Sequence, residues 1–378
     1  MKKVGIVTWY WGNYGSILQA YALQQAIAEL GLSCEVINHR VNGNIKEQIL
    51  YRVRHSGILN TINYYTKKLG AAIENHSLKE LSYRNKAFDN FIKNNIQLSS
   101  EFYTNNNYYS CQQYDAYICG SDQIWNPNFT FLSSFYWLGF VNEKTKIAYA
   151  PSMGSELLTV SDKEKINAYL KSFTGISVRE LKSAEILSKL SLHHKVYTVV
   201  DPTMLITAEK WKEHLPKKSI SEKYLFAYII RGNKEQRNYI EKIARKYNLQ
   251  LVVYPYLESN IIESDEKTWG DIRCFEDEPF DFLEKIYNAE MIITDSFHCS
   301  VFSILFHKEF FVLKKINDKT SQFGRLQQLL KMSSQEERII DMGDNVVPLN
   351  NNFYKSDIEI EKKRIESINY LKKCLHLC

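Results

Sequence analysis

Short β-rich runs alternate with helical stretches along most of the chain. Residues 4–8 predict a buried strand, residues 11–16 a turn, and residues 17–30 a helix that ends at Gly31. Further β-rich runs occupy residues 34–38, 116–119, 146–150, 175–178 and 196–200, then 224–230, 250–254 and 291–294. Strands that alternate with helices build parallel sheets covered by helices on both faces. The sequence therefore predicts an α/β protein.

The length of 378 residues suits two domains better than one core. A polar, lysine-rich stretch at 207–223 separates the two series of strands. We therefore predict an N-terminal α/β domain over 1–205 and a C-terminal α/β domain over 206–350, two Rossmann-like domains that face a cleft. Apolar residues recur at helical spacing from Ile358 to Leu375, which predicts a last helix within 351–378 that packs on the body.

Charge and cysteine usage exclude several classes of protein. The 48 basic and 43 acidic residues give a net charge of +5, too mild to indicate a nucleic-acid partner. Seven cysteines without C-x-x-C spacing favour a reducing compartment and no zinc site. The apolar run at the N-terminus ends by Trp11 without a cleavage signal, so it predicts a strand rather than a signal peptide. We expect a cytoplasmic protein.

An insertion at about 42–107 in the first domain is rich in Tyr, Asn and Lys and helical in period. Between residues 46 and 93, nine basic residues outnumber four acidic ones. Such a segment is suited to contact anionic lipid head groups at the cytoplasmic face of a membrane. The alternative is a solvated helical face.

The run from Met291 to Phe302 predicts a buried strand that leads through polar residues into an apolar helix. In an open α/β sheet, ligands bind at that point. The N-terminus of a helix that starts near Ser296 or Phe297 offers backbone N–H groups to a phosphate or carboxylate, and His298 supplies a proton near neutral pH. The alternative is that His298 only caps or packs at the turn.

Three arginines are candidate anion ligands. Arg179 follows a predicted buried strand, where its guanidinium could hold a carboxylate in bidentate fashion. The alternative is a surface salt bridge to Glu180. Arg231 and Arg325 are candidate phosphate ligands, with a purely structural role as the alternative.

Two polar loops suit a hydroxylated ligand. Ser121, Asp122 and Asn126 follow one predicted strand, and Asn13, Tyr14 and Gln19 follow the first one. Either loop could be a plain tight turn, and neither is a P-loop or a complete G-x-G-x-x-G motif. No set of residues has the spacing of a metal site.

Six blocks taken in order resemble the polysaccharide pyruvyl transferase family over residues 1 to about 330. They are residues 12–24, 120–126, 148–154, 177–180, 201–203 and 295–298. The resemblance implies a fold like the glycosyltransferase B type. It also implies transfer of the pyruvyl group of phosphoenolpyruvate onto two hydroxyls of a sugar, which yields a cyclic ketal and phosphate. The setting would be the synthesis of bacterial exopolysaccharide, capsule or cell-wall polysaccharide.

Site roles also follow from the resemblance. It implies that His298 is the acid, that phosphoenolpyruvate lies near Ser296 and Phe297, and that Arg179 holds its anionic groups. We expect phosphoenolpyruvate to act as donor substrate without cofactor or metal, and a sugar or lipid-linked oligosaccharide to be the acceptor. Two alternatives remain open: a glycosyltransferase B enzyme that uses a nucleotide sugar, and a non-catalytic sugar-binding protein.

Overall fold

A computed structural model describes most of the chain. The described residues are 2–41, 48–50, 52–53, 57–75, 79–154, 158–190, 194–230, 232–256, 268–314, 322–349 and 352–377, with backbone alone at 67–75 and 322.

The described strands form two six-stranded sheets in which every pairing is parallel. The first sheet has the order β2-β1-β3-β4-β5-β6 and the second β12-β11-β10-β7-β8-β9. The strands are β1 Lys3–Val7, β2 Ser33–Val36, β3 Ala116–Cys119, β4 Thr145–Ala148, β5 Gly175–Val178, β6 Val196–Thr198, β7 Tyr224–Tyr228, β8 Gln250–Val253, β9 Ile272–Arg273, β10 Met291–Thr294, β11 Phe310–Leu313 and β12 Ile339–Ile340. The predicted α/β class with two Rossmann-like sheets is confirmed. The domain limits at 205 and 350 stay predictions.

Helices connect the strands and cover the sheets. They are α1 Tyr14–Glu29, α2 Ile58–Asn75, α3 Lys79–Asn95, α4 Pro127–Thr130, α5 Val160–Leu170, α6 Leu181–Leu190, α7 Ala208–Glu213, α8 Lys234–Lys246, α9 Pro279–Asn288, α10 Phe297–Leu305, α11 Gln322–Met332 and α12 Tyr354–Cys374. Among the described residues, no helix is long and apolar enough to cross a bilayer.

Helix α1 lies between the two sheets and is buried along most of its length. The Asn13 side chain starts it by accepting a hydrogen bond from the Ser16 N–H (2.9 Å). On the side of the second sheet, the ring of Tyr14 stacks on Phe282 of α9 with centroids 4.6 Å apart. One hydrophobic core therefore continues from the first sheet through α1 to the second.

Helix α12 returns from the second sheet to the first. The hydroxyl of Tyr370 donates to the Ala148 carbonyl (2.9 Å), and Ser367 Oγ accepts from the Val200 N–H (3.1 Å). The last helix thus packs against the carboxyl-terminal ends of β4 and β6.

All strands of a parallel sheet end at the same edge, so the loops after β1, β3, β5 and β6 meet there. These loops carry Asn13, Ser121, Arg179 and Asp201. Helix α11, from the second half of the chain, contacts this edge: Gln328 Nε2 donates to the Arg179 carbonyl (3.0 Å). Helix α10 packs there too, and it brings His298 from the end of β10.

Candidate active site

Asp201, directly after β6, is the centre of a buried ionic cluster. Its Oδ2 accepts hydrogen bonds from Arg179 Nη1 (2.7 Å) and Ser121 Oγ (3.1 Å). Its Oδ1 accepts from the N–H and the hydroxyl of Thr203. Only 1% of Asp201 is exposed. In the sequence, Asp201 stands out only as part of the block 201–203 that resembles the family. Its position after a buried strand is the one signal of a functional role.

Asp201 is ionised in this setting. Burial alone would raise the pKa of its carboxyl group, but His298, Arg179 and the Thr203 N–H together lower the pKa well below its usual value. An ionised carboxylate only accepts hydrogen bonds, so it orients the donors around it.

His298 is the second residue of α10, and 11% of its side chain is exposed. Its Nε2 lies 3.6 Å from Asp201 Oδ2 and has no hydrogen-bond partner among the described residues. On its other side the ring meets α1, where a Cβ at Gly15 would lie 2.0 Å from Nδ1. The backbone of α1 therefore packs directly on the imidazole, which only glycine permits.

Arg179 follows β5, and its guanidinium is almost fully buried. Nε donates to Glu180 Oε1 (3.1 Å) and Nη1 to Asp201, while Nη2 has no partner among the described residues. The guanidinium lies 4.3 Å from the ring centre of Phe297. The salt bridge to Glu180 that the sequence allowed as an alternative is present, but it is buried rather than on the surface.

The charge of Arg179 is secured by its neighbours. Burial alone would lower its pKa, but the carboxylates of Glu180, Asp201 and Asp122 raise the pKa above its usual value.

Arg325, from α11, is the second cation of the cluster. Burial, and next the charge of Arg179, lower its pKa to about 10, so it remains protonated at neutral pH. Its Nε is buried and has no partner among the described residues. The cluster thus holds two guanidiniums that each keep an unused N–H donor, which is the chemistry that binds a carboxylate or phosphate.

Ser296 caps α10, since its Oγ accepts from the Cys299 N–H (3.4 Å). The first-turn N–H groups of Phe297 and His298 have no acceptor within the helix, so they are available as donors at the cluster end of α10. The ring of Phe297 covers Arg179 and sits edge-on to His298. Ser296, Phe297 and His298 thus share one helix N-terminus beside Arg179.

Ser121 and Asp122, after β3, join the same cluster. Ser121 Oγ donates to Asp201 and to the Ala150 carbonyl (3.0 Å), and Asp122 Oδ2 accepts from Ser16 Oγ (2.5 Å). Close approach of the chain here requires glycine, because Gly120 has φ +123° and a Cβ would lie 1.9 Å from the Tyr149 carbonyl oxygen.

Gln19 and Asn13 hold the loops of the site. The buried Gln19 amide donates to the carbonyls of Trp9 and Ser16 and accepts from the Ser121 N–H (3.1 Å). Asn13 caps α1 with both ends of its amide on Ser16. The contacts of both amides lie within the protein, and direct acceptor contacts by either residue stay a prediction.

Tyr14 and Asn126 also have internal partners. The Tyr14 hydroxyl donates to the Asp277 carbonyl (3.2 Å) within the core between the sheets. Asn126 caps α4 through the Asn128 N–H (3.0 Å) and donates to Gln123 Oε1 (2.8 Å). Arg231 lies outside the described residues, so its predicted role is untested.

Among the described residues, no three His, Cys, Asp or Glu side chains are grouped as metal ligands would be. The cysteines from Cys34 to Cys374 are buried free thiols. In the described part of the chain, the chemistry gathered at the cleft is that of an imidazole, two guanidiniums and three carboxylates.

Fold and site together define a two-domain α/β protein of the glycosyltransferase B type, with an ionic site where the two sheets face each other. The S. aureus protein MnaA, solved with UDP, has this fold: it is 13% identical, with a TM-score of 0.51, over 100% of this chain and 98% of that one. A putative UDP-N-acetylglucosamine 2-epimerase from Listeria monocytogenes is 8% identical, with a TM-score of 0.51, over 98% and 90%. At these identities the likeness concerns the fold alone.

The family is established by sequence. The family model for polysaccharide pyruvyl transferase matches residues 13–314, and the chain belongs to this family. The resemblance stated from the six blocks is confirmed. No curated protein sequence matches the chain significantly.

Proposed function

We propose that the protein transfers the pyruvyl group of phosphoenolpyruvate to two hydroxyls of a sugar, with formation of a cyclic ketal and release of phosphate. The observation that carries the proposal is the position of His298 beside the Arg179–Asp201 pair, where Arg179 and Arg325 each keep an unused buried N–H. Family membership supports the same reaction. The pathway would be synthesis of bacterial exopolysaccharide, capsule or cell-wall polysaccharide.

The reaction requires an acid and an anion clamp. Protonation of the methylene carbon makes C2 electrophilic, and a sugar hydroxyl adds there and loses its proton. The C2–O bond to phosphate then breaks, and the second hydroxyl adds at C2 and loses its proton. One of the two hydroxyl protons replaces the one given to carbon and the other leaves with phosphate, so protons and charge balance. These steps need general acid–base catalysis and charge stabilisation by fixed donors.

Each described residue of the cluster takes a role in this scheme. His298 is the acid and base, and its Nε2 lies 3.6 Å from Oδ2 of Asp201. Arg179 Nη2, Arg325 Nε and the first turn of α10 at Ser296 and Phe297 hold the carboxylate and phosphate of the donor. Ser121, which donates to Asp201, and Asp122 beside it would receive the sugar.

The test is to incubate the protein with phosphoenolpyruvate and a panel of galactosides, glucosides and mannosaminides, and to follow phosphate release together with the mass of the sugar product. Phosphate release with the mass gain of one pyruvyl ketal supports the proposal. Stabilisation of the fold by UDP or GDP, with none by phosphoenolpyruvate, would instead favour a nucleotide-sugar enzyme.

Two histidine variants separate catalysis from binding. His298→Ala should lower kcat by about 10²-fold to 10⁴-fold, the usual contribution of a general acid. The matched control is His307→Ala, a half-exposed histidine paired with Asp357 at the surface, which should leave kcat unchanged. Equal kcat values for the two variants would show that His298 is not the catalytic acid, whereas sugar binding without turnover by the unchanged protein would favour a sugar-binding protein.

A further inference from the structure

Helix α2 of the insertion exposes large aliphatic side chains. Ile58 is 64% exposed, Leu59 78% and Ile62 54%. Residues 58 and 62 are one turn apart, so they share a face with Leu59 beside them. We name these three residues the docking face. Leu50, shortly before in sequence, is 56% exposed. Clustered exposed aliphatic residues on a folded protein mark an interaction surface.

Arg52 links the helix to the rest of the first domain. The guanidinium of Arg52 lies 3.5 Å from the ring centre of Tyr64 in α2 and 5.6 Å from that of Phe131. Phe131 ends the short helix α4 that Asn126 begins. Arg52 therefore links the helix of the docking face to the first domain at the end of α4.

The charge of the segment that carries this face indicates an anionic partner. Residues 46–93 hold nine basic and four acidic residues, an excess of five, and the whole chain has the same excess with 48 against 43. The net positive charge of the protein is thus concentrated in this segment. Within it, Lys86 and Lys93 on α3 are exposed, and neither forms an ion pair within the described part of the chain.

We propose that the docking face places the protein on an anionic membrane surface, with α2 lying in the plane of the head groups. Aliphatic side chains gain from insertion between acyl chains, and the basic segment is attracted by anionic lipid. A second copy of this chain would bring two basic segments together, and a nucleic acid offers aliphatic side chains no apolar partner. The inference does not depend on the chemistry at His298.

The test is flotation of the full-length protein with vesicles of phosphatidylcholine alone or mixed with phosphatidylglycerol. The protein should float with the mixed vesicles, and added salt should weaken its binding. Leu59→Glu with Ile62→Glu should weaken binding about tenfold or more, since two apolar contacts are replaced by charges that anionic lipid repels. Lys86→Gln with Lys93→Gln should weaken it several-fold.

The matched control is Ile358→Glu with Ile365→Glu on α12, where two isoleucines are 49% and 50% exposed in a different part of the fold. This variant should bind vesicles like the unchanged protein. The proposal is overturned by equal binding of both glutamate variants, by equal binding to neutral and mixed vesicles, or by no binding. It is also overturned if Leu59→Glu with Ile62→Glu breaks up a dimer in solution. Phosphate release with a soluble sugar should be unaffected, so failure here is distinct from failure of the proposed function.

Discussion

Gly15→Ala tests whether the position of His298 depends on α1. A Cβ at residue 15 would lie 2.0 Å from His298 Nδ1, whereas side-chain contacts do not fall below 3.0 Å. The imidazole must therefore move by about 1 Å, away from α1. Movement in that direction changes the 3.6 Å separation from Asp201 and the angle at which Nε2 meets the donor.

The expected loss of catalytic rate follows from this displacement of the imidazole. A 1 Å error in the position of a catalytic group can cost about 10²-fold in rate, or about 2.7 kcal/mol of transition-state stabilisation. Stability should change little, because alanine in a helix gains about 1 kcal/mol over glycine, which offsets part of the steric cost. The assay is phosphate release from phosphoenolpyruvate at saturating acceptor, together with a urea unfolding curve.

Two comparisons isolate the cause. Gly324→Ala, in α11, meets no atom within 4 Å and should keep full activity. In the His298→Ala background, Gly15→Ala should cost nothing further, since the displaced ring is already gone. A kcat for Gly15→Ala within about threefold of the unchanged protein, or full additivity with His298→Ala, would refute the reasoning.

Three further changes probe the electrostatics. Asp201→Asn removes the acceptor charge from Arg179 and should destabilise the fold by about 3 kcal/mol at pH 7. Because the pKa of Asp201 is strongly depressed, its stabilisation is fully present above the usual value of 3.8 and is lost progressively as the pH falls toward the much lower pKa of the folded state, so the difference between the two unfolding free energies should start to narrow below pH 3.8. Arg325→Gln should raise the KM for phosphoenolpyruvate about tenfold or more at unchanged stability, as judged by kinetics and donor-induced melting shifts. Burial lowers the pKa of His39 to about 3 from 6.5, so the unfolded chain takes up its proton first as the pH falls. Between pH 7 and pH 5, the His39→Gln variant should therefore lose about 2 kcal/mol less unfolding free energy than the unchanged protein, as measured by urea unfolding.

Ligands of open α/β sheets bind at the carboxyl ends of the strands, and this explains why much of the site could be predicted from sequence. Arg179, Asp122 and His298 each follow a run of buried residues, and the parallel arrangement brings such ends together. The sequence also predicted the helix that Ser296 starts. Strands β9 and β12 were not predicted, because two residues carry no periodicity, and β11 merged with the apolar stretch before it.

The partners of polar side chains could not be predicted in the same way. The amide of Gln19 is equally suited to a sugar or to backbone, and only the packing shows it on Trp9, Ser16 and Ser121. The contact between Gly15 and His298 joins residues nearly three hundred positions apart. Asp201 is placed in the site by its contacts with Arg179, which follows β5 of the first sheet, and with His298, which follows β10 of the second. Sequence alone does not reveal these contacts.

The cluster is divided between the two halves of the chain. Arg179, Asp201 and Ser121 follow strands of the first sheet, whereas His298 and Arg325 come from helices of the second. The hydrogen bond between Gln328 and the Arg179 carbonyl and the close contact between Gly15 and His298 join the two halves at this point. The position of His298 beside Asp201 therefore depends on how the two sheets pack together, and a change at this junction, such as Gly15→Ala, displaces the imidazole without altering any charge of the cluster.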